Sequence, residues 1–202
     1  MTTGLAVVIT IVSLAALAIG IDRLALVGGV VPGRLSGLVA IAPAVPVWLT
    51  PLSATLLHGG LMHLIINMVM LLWIGRQVEV VYGGGGTLAA WIVGAYGSAV
   101  AQWLAGPGDP SPMIGASGAI SAWFGIYALS FSQPKWLTRF PALNRIIHAG
   151  WLLTAWVLVQ LASAYLAAQG QGMMLATAAH VGGFVVGMAI QRPLLMWRYR
   201  SA

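Results

Sequence analysis

The chain has 202 residues, of which 60% are hydrophobic and only 6% are charged, and its mean hydropathy is +0.95. A soluble domain carries about 25% charged residues, so this composition excludes a soluble globular protein and indicates an integral membrane protein. The absence of cysteine excludes disulfides and thiolate metal sites. The net charge of +6 comes from basic residues in short connections, where membrane topology explains them better than nucleic-acid binding does.

Six apolar stretches are long enough to cross a bilayer as helices, which takes about 20 residues each. The sequence therefore predicts an all-α bundle of six membrane-spanning helices in a single domain over residues 1–202. The first stretch lacks a basic start and a small-residue cleavage site, so it is predicted to be a retained span and not a signal peptide. In chain order the predicted spans are 4–21, 54–74, 87–105, 113–131, 147–168 and 173–191.

The basic residues between these spans are distributed asymmetrically. With both termini in the cytoplasm, seven of them lie on the cytoplasmic side and only Arg23 and Arg34 lie outside, which favours an N-in, C-in orientation. His63, Ser117 and His180 then enter the membrane from the outer face, at depths of roughly 6–14 Å. The seven cytoplasmic residues are Arg76, Lys135, Arg139, Arg145, Arg192, Arg198 and Arg200.

The fourth predicted span opens with the motif Gly115-Ala116-Ser117-Gly118. Ser117 is therefore predicted near a helix N-terminus, where free backbone N–H groups favour negative charge such as that of a tetrahedral oxyanion. Small residues recur at 117, 121 and 125 and form a face that a neighbouring helix can approach closely. The pattern fits a nucleophilic serine or a packing face that carries an incidental serine, so the motif alone leaves both open.

The sixth predicted span carries a buried histidine candidate, His180, together with Gly183 and Gly187. The two glycines form a small-x3-small pair, and His180 lies on roughly the same side of the helix. If the fourth and sixth spans pack through their small faces, His180 reaches Ser117 and can act as its base. The alternative is a histidine bonded to a neighbouring backbone carbonyl.

The second predicted span places His63 and Asn67 four residues apart, hence on one face. Two polar side chains on one face of an apolar helix are expected to point into the bundle. They are candidate donors to an oxyanion beside Ser117, or else structural hydrogen bonds to neighbouring helices. His58 falls on another side of this predicted helix and is expected to have a structural role, bonding within the first loop.

The chain has only three acidic residues, Asp22, Glu79 and Asp109, and they limit the chemistry. A di-aspartyl protease is excluded because both aspartates lie in predicted loops, and no His-Glu-x-x-His zinc motif occurs. A Ser–Lys pair fails because Lys135 is about 27 Å along the helix from Ser117. The sequence thus predicts a Ser–His dyad that uses no metal and no cofactor.

Three motifs together resemble the rhomboid intramembrane serine proteases. They are His58-x4-His63-x3-Asn67, the Gly-Ala-Ser-Gly motif around Ser117, and Ala179-His180-x2-Gly183-x3-Gly187. The resemblance covers about residues 50–192 and is to the six-span bacterial type. It implies Ser117 as nucleophile, His180 as general base, and His63, Asn67 and the Ser117 backbone N–H as the oxyanion site. It also implies a bacterial inner membrane location, with the site toward the outer side.

The same resemblance extends to Gly75-x3-Glu79-x3-Gly83, where Glu79 is expected to bond loop or helix-end N–H groups. Two positions depart from the family pattern. Trp48 is followed by Leu49 and no arginine is near, and Ser121 stands where some members have a tyrosine stacked on the base histidine. Another group must therefore orient His180.

The resemblance further implies substrate entry beside the fifth span, near Trp151 and Trp156, with residues 169–172 as a movable cap. The two tryptophans are explained as well by packing against lipid. The expected function is hydrolysis of peptide bonds in transmembrane protein substrates within the bilayer. The alternatives are a non-proteolytic rhomboid-like protein that binds membrane clients, and a small transporter with His63 and His180 as relays. The first typically lacks the serine or the histidine, and the second predicts carboxylates or inverted repeats in the spans.

Overall fold

The computed structural model describes residues 1–131, 137–168 and 176–200, and this part of the chain is helical with no β-strand. The predicted all-α bundle is confirmed. Two short 3₁₀ helices, Val47–Leu49 and Ala54–Leu56, lie in the segment between the first two long helices. The α-helices are α1 (Thr2–Ile19), α2 (Ile21–Gly28), α3 (Pro32–Leu35), α4 (Thr50–Ser53), α5 (Leu61–Ala105), α6 (Ser117–Ser130), α7 (Pro141–Ala168) and α8 (Thr177–Arg198).

Helix α5 contains both the second and the third predicted span. Its 45 residues correspond to about 68 Å of helix, more than twice the thickness of a bilayer's hydrocarbon core. The backbone leaves the helical region at Gly83, with φ of 68° and ψ of 170°, so two helical segments meet there. A single glycine with a positive φ thus replaces the predicted loop between residues 74 and 87.

The predicted start of the second span, at residue 54, is wrong. Residues 54–56 form a 3₁₀ turn, and α5 begins only at Leu61, after the extended backbone of Gly60. The segment is apolar enough to resemble a helix by hydropathy, but Gly59 and Gly60 disfavour continuous helix. His58 therefore precedes the helix and is not part of it.

Helix α6 is shorter than the predicted span 113–131 and lies at the centre of the bundle. It begins at Ser117, because Met113 exchanges two backbone hydrogen bonds with Val30 and Gly115 has a φ of 122°. Its 14 residues rise only about 21 Å. Every residue from Ser117 to Ala128 except Tyr127 is buried, so α6 is enclosed by its neighbours.

Three helical stretches of the described residues are long and apolar enough to span a membrane: Thr2–Ile19, Leu61–Ala105 and Pro141–Ala162. Helix α7 starts at Pro141, earlier than the predicted residue 147, and α8 runs on to Arg198 past the predicted end at 191. Residues 173–175 of the sixth predicted span lie outside the described residues. The count of six spans and the N-in, C-in orientation remain predictions.

The long first connection is held against the loop that precedes α6. Gly33 N–H donates to the carbonyl of Asp109 at 2.8 Å. Within the connection itself, the Ser53 hydroxyl donates to the carbonyl of Gly28 at 2.6 Å. The Tyr96 hydroxyl donates to the carbonyl of Trp48 at 2.8 Å, which ties the connection to the second segment of α5. The loop therefore has anchors of its own, although no arginine follows Trp48.

Helices α6 and α8 approach each other through glycine. A Cβ on Gly183 would overlap the carbonyl oxygen of Gly118, and one on Gly187 would overlap that of Ala122. In the other direction, a Cβ on Gly125 would overlap the carbonyl oxygen of Phe184. Close backbone contact of this kind is what small-x3-small faces permit, and it brings the N-terminal turns of α6 and α8 together.

Candidate active site

Ser117 and His180 form a buried hydrogen-bonded pair. The Oγ of Ser117 lies 2.8 Å from the Nε2 of His180, and both side chains are almost fully enclosed. Ser117 is the first residue of α6, and His180 stands one turn into α8. A serine bonded to an imidazole is the arrangement that a nucleophile and its base require.

The second ring nitrogen of His180, Nδ1, takes no part in the bond to Ser117. This nitrogen is buried and has no hydrogen-bond partner among the described residues. The Oδ1 of Asp109 accepts from Ser111 N–H at 2.8 Å in its own loop, so this carboxylate caps a local turn. The geometry is that of a two-residue dyad with no carboxylate at Nδ1.

His63 lies beside the turn that leads into α6. Its Cε1 and Nε2 are 2.9 Å from the position that a Cβ on Gly115 would occupy, and the Ser117 Oγ is 3.7 Å from the same point. Gly115 has a φ of 122°, a conformation that residues with a Cβ rarely adopt. Glycine at 115 therefore serves two needs, the backbone turn and the space for the imidazole.

Asn67 is buried one helical turn beyond His63. Its Nδ2 donates back to the carbonyl of His63 at 2.9 Å, and its Oδ1 has no hydrogen-bond partner in the described part of the chain. One amide hydrogen is thus engaged along its own helix. Of the two predicted oxyanion donors, the structure brings His63 to the turn before Ser117, while the Asn67 amide is bonded to α5 itself.

The first backbone N–H groups of α6 lie next to the hydroxyl. Within residues 1–131, 137–168 and 176–200, the N–H groups of Ser117 and Gly118 have no acceptor, as expected for the first turn of a helix. The N–H of Ala116 is directed at the Nε2 of His58, at 3.4 Å. The free donors closest to the Ser117 Oγ are therefore those of the serine itself and of the following glycine.

The prediction that His58 bonds within the first loop is wrong. His58 precedes α5 and packs against α1, where its Nδ1 is 2.9 Å from the hydroxyl of Ser13. Its ring also meets that of His63 edge-on, with centroids 4.9 Å apart. His58 is completely buried and links α1, the Ala116 N–H and His63.

Glu79 is remote from this site. It follows His63 by 16 positions on α5, about 24 Å along the helix. Its Oε2 accepts from the Thr2 N–H at 2.9 Å, and its Oε1 accepts from the amino group of Met1. Glu79 thus binds the N-terminal end of α1, a helix-end contact of the kind expected for it.

Sequence reasoning missed the role of Trp156, which it placed at a substrate entry or against lipid. Trp156 is only 2% exposed, whereas Trp151 on the same helix is 65% exposed. The Trp156 indole N–H donates to the Ser121 hydroxyl at 2.7 Å, and its ring meets that of His180 nearly edge-on at 6.4 Å. The four-residue spacing of Ser117 and Ser121 was the available signal, but nothing in the sequence marked their partner on α7.

A second missed residue is Ser98, on the later segment of α5. It is buried, and its Oγ lies where a Cβ on Gly118 or Gly183 would have to go. Ser98 also lines a cavity of about 20 Å³ beside the dyad, large enough for about one water molecule. The other lining residues include Thr55, Gly115, Ser117 and His180.

The described residues contain no group of three or more His, Asp or Glu side chains able to hold a metal ion.

Comparison with known proteins gives a consistent match over most of the chain. The Rhomboid domain matches residues 46–197. The chain is 31% identical over 138 residues to Rhomboid protease GlpG of Pectobacterium atrosepticum, a region that is 67% of this chain and 45% of that protein. It is 29% identical over 147 residues to RHOMBOID-like protein 4 of Arabidopsis thaliana, which is 72% of this chain and 34% of the relative.

A further relative is Rhomboid protease GluP of Bacillus subtilis, 31% identical over 101 residues, or 50% of this chain and 19% of that protein. The chain therefore spans less than half the length of each of these curated relatives. The matched region includes all four polar residues at the candidate site, His63, Asn67, Ser117 and His180.

Proposed function

The chain belongs to the rhomboid family, and from that premise we propose that this integral membrane protein is a serine protease that cleaves transmembrane protein substrates by a Ser117–His180 dyad. The proposal rests above all on the buried 2.8 Å hydrogen bond between these two side chains. The relatives named as proteases, from Pectobacterium atrosepticum and Bacillus subtilis, support the same reaction class.

In the first half of the reaction, the Nε2 of His180 accepts the Ser117 proton as Oγ attacks the scissile carbonyl. This requires the neutral imidazole to carry its own hydrogen on Nδ1, because Nε2 must be the acceptor. Collapse of the tetrahedral intermediate expels the amine, which takes the proton back from Nε2. An acyl-enzyme on Ser117 remains, and a water molecule activated by His180 hydrolyses it.

The oxyanion would form next to the first turn of α6. The N–H groups of Ser117 and Gly118 have no acceptor among the described residues, and the imidazole of His63 lies beside Gly115 in the turn before Ser117, which supports their assignment as donors. Asn67 uses one amide hydrogen on the His63 carbonyl, so its second N–H remains as a donor that can join them. Donors of this kind are each worth about 10²–10³-fold in rate.

The peptide bond to be cut must be presented in an extended form. A helical substrate hides its carbonyls in intrahelical hydrogen bonds, so a transmembrane segment has to unwind locally beside α6. Water is needed for deacylation, and the dyad at the N-terminal turns of α6 and α8 lies near one membrane face. The N-in, C-in orientation makes this the outer face, the periplasmic side if the protein resides in a bacterial inner membrane.

Cleavage of a model transmembrane substrate by the purified protein in detergent tests the proposal. The wild-type protein should cleave it, and Ser117→Ala and His180→Ala should each reduce cleavage to background. Ser111→Ala in the exposed loop before α6 and His148→Ala on α7 are matched controls that should retain full activity. Cleavage that persists in Ser117→Ala would refute the proposed mechanism.

A further inference from the structure

We infer that Trp156 of α7 is a positioning residue that orients the dyad through Ser121. The inference rests on the proposed function, since it concerns how Ser117 and His180 are held for the reaction. Trp156 touches no reacting atom. It contacts the ring of the base directly and the backbone of the nucleophile through one bridging hydroxyl.

A continuous set of hydrogen bonds connects α7 to the nucleophile. The Trp156 indole N–H donates to the Ser121 Oγ at 2.7 Å, and the Ser121 O–H donates to the carbonyl of Ser117 at 2.7 Å. Ser121 therefore uses its lone pair toward α7 and its hydrogen toward the first turn of α6. All three residues are buried, so no solvent competes for these bonds.

The indole ring is held in one orientation by a second contact. Trp156 stacks on Phe124 of α6, with ring centroids 4.7 Å apart and planes inclined by 24°. A buried indole N–H needs an acceptor, and Ser121 supplies it. Residues of α6 thus set both the plane of the indole ring and the direction of its N–H. The ring therefore has a fixed position against its neighbours.

His180 lies beside this surface. The planes of the two rings are inclined by 70° with centroids 6.4 Å apart. The imidazole is held at Nε2 by its hydrogen bond to Ser117, but Nδ1 has no partner among the described residues. Because no second hydrogen bond fixes the ring, packing must limit its rotation about the Cβ–Cγ bond. The indole of Trp156 supplies that packing contact.

A purely structural role, in which Trp156 only docks α7 onto α6, makes different predictions. Loss of docking would lower stability and alter the binding of a long transmembrane substrate. Loss of positioning would lower the rate of the chemical step, including the reaction of Ser117 with a small fluorophosphonate that needs no substrate groove. Comparing the loss of stability and of substrate binding with the loss of labelling rate therefore separates the two roles.

The test uses the full-length chain in detergent with Trp156→Phe, Ser121→Ala and the double variant. Both kcat and the fluorophosphonate labelling rate of Ser117 should fall roughly five- to tenfold in each single variant, as expected for the loss of one neutral hydrogen bond. KM should stay within about twofold. The double variant should be no slower than Ser121→Ala, because the two changes break the same bond.

Trp197→Phe is the matched control, since this tryptophan is exposed at the C-terminal end of α8, and it should behave as wild type. Wild-type labelling and kcat in both single variants, effects that multiply in the double variant, or a change in KM alone would overturn the inference. The proposed function fails separately, if the wild-type protein neither cleaves nor labels, or if Ser117→Ala remains active.

Discussion

Gly183 of α8 lies so close to the carbonyl oxygen of Gly118 in α6 that a Cβ on it would overlap that oxygen. This contact is one turn from His180 and next to Ser117, so it sets how near the base comes to the hydroxyl. The neighbouring pair Gly187 and Ala122 repeats the contact one turn further along. The dyad distance is thus a consequence of backbone packing as much as of the two side chains.

Gly183→Ala should therefore separate the helices and abolish most activity. Backbone atoms cannot move aside locally, and a displacement of about 1 Å between reacting groups can cost roughly 100-fold in rate. We expect at least that loss of kcat, with a lower thermal unfolding temperature. Gly150→Ala on α7 is the control, because a Cβ there has nothing within 4 Å. Near-normal kcat in Gly183→Ala would show that this contact does not set the dyad geometry.

Gly115→Ala should impair the reaction by displacing His63. The substitution puts a Cβ within 2.9 Å of the imidazole and strains a backbone φ of 122°, at about 1–3 kcal/mol. A displaced donor lowers the rate by about 10²–10³-fold, which substrate cleavage measures. Gly37→Ala separates the two effects, since Gly37 has a φ of 71° but open space around it. It should lose stability and keep its rate.

His58→Ala should destabilise the protein more than it slows the reaction. The change leaves the Ser13 hydroxyl without its imidazole partner and the Ala116 N–H unpaired in a buried site, at about 1–3 kcal/mol. Thermal unfolding in detergent should show a clear decrease for His58→Ala and a smaller one for Ser13→Ala. A kcat loss as large as that of His180→Ala would contradict a structural role.

Glu79→Gln should lower stability with no effect on kcat. The carboxylate accepts from the Thr2 N–H at the start of α1, and loss of charge at a helix N-terminus costs about 0.3–1 kcal/mol. Because Glu79 is about 24 Å along α5 from His63, the rate with substrate should remain that of the wild type. Arg76→Gln, which removes the charge of an exposed residue one turn earlier on α5, is the matched control for unfolding. A selective loss of kcat would reveal coupling along α5.

The sequence predicted the helical class of the fold and which polar side chains come together, because polar groups are rare in apolar helices. Ser117 and His180 stand on small-residue faces, and those faces do pack. The boundaries were harder to predict. Residues 54–57 and 113–116 are as apolar as a span, so hydropathy alone cannot show that glycine turns and a backbone pairing with Val30 keep them out of the helices.

Long-range partners could not be predicted for a related reason. Between residues 149 and 159 the only polar side chain of α7 is Thr154, so nothing in this stretch distinguished the buried Trp156 from the exposed Trp151. The contact of His58 with Ser13 spans 45 positions of the chain and depends on where α1 packs. The four glycines at 83–86 indicate a break, but not that the conformation of Gly83 alone makes it within a 45-residue helix.

Covalent labelling of Ser117 is the most direct test of the dyad. The purified protein is treated with a fluorophosphonate, and the modified residue is located by peptide mass spectrometry. We predict one adduct, on the Oγ of Ser117, that is absent in Ser117→Ala and forms at least 100-fold more slowly in His180→Ala, because the base is lost. An adduct on another residue, or a Ser117 adduct that forms at the wild-type rate in His180→Ala, would contradict the account.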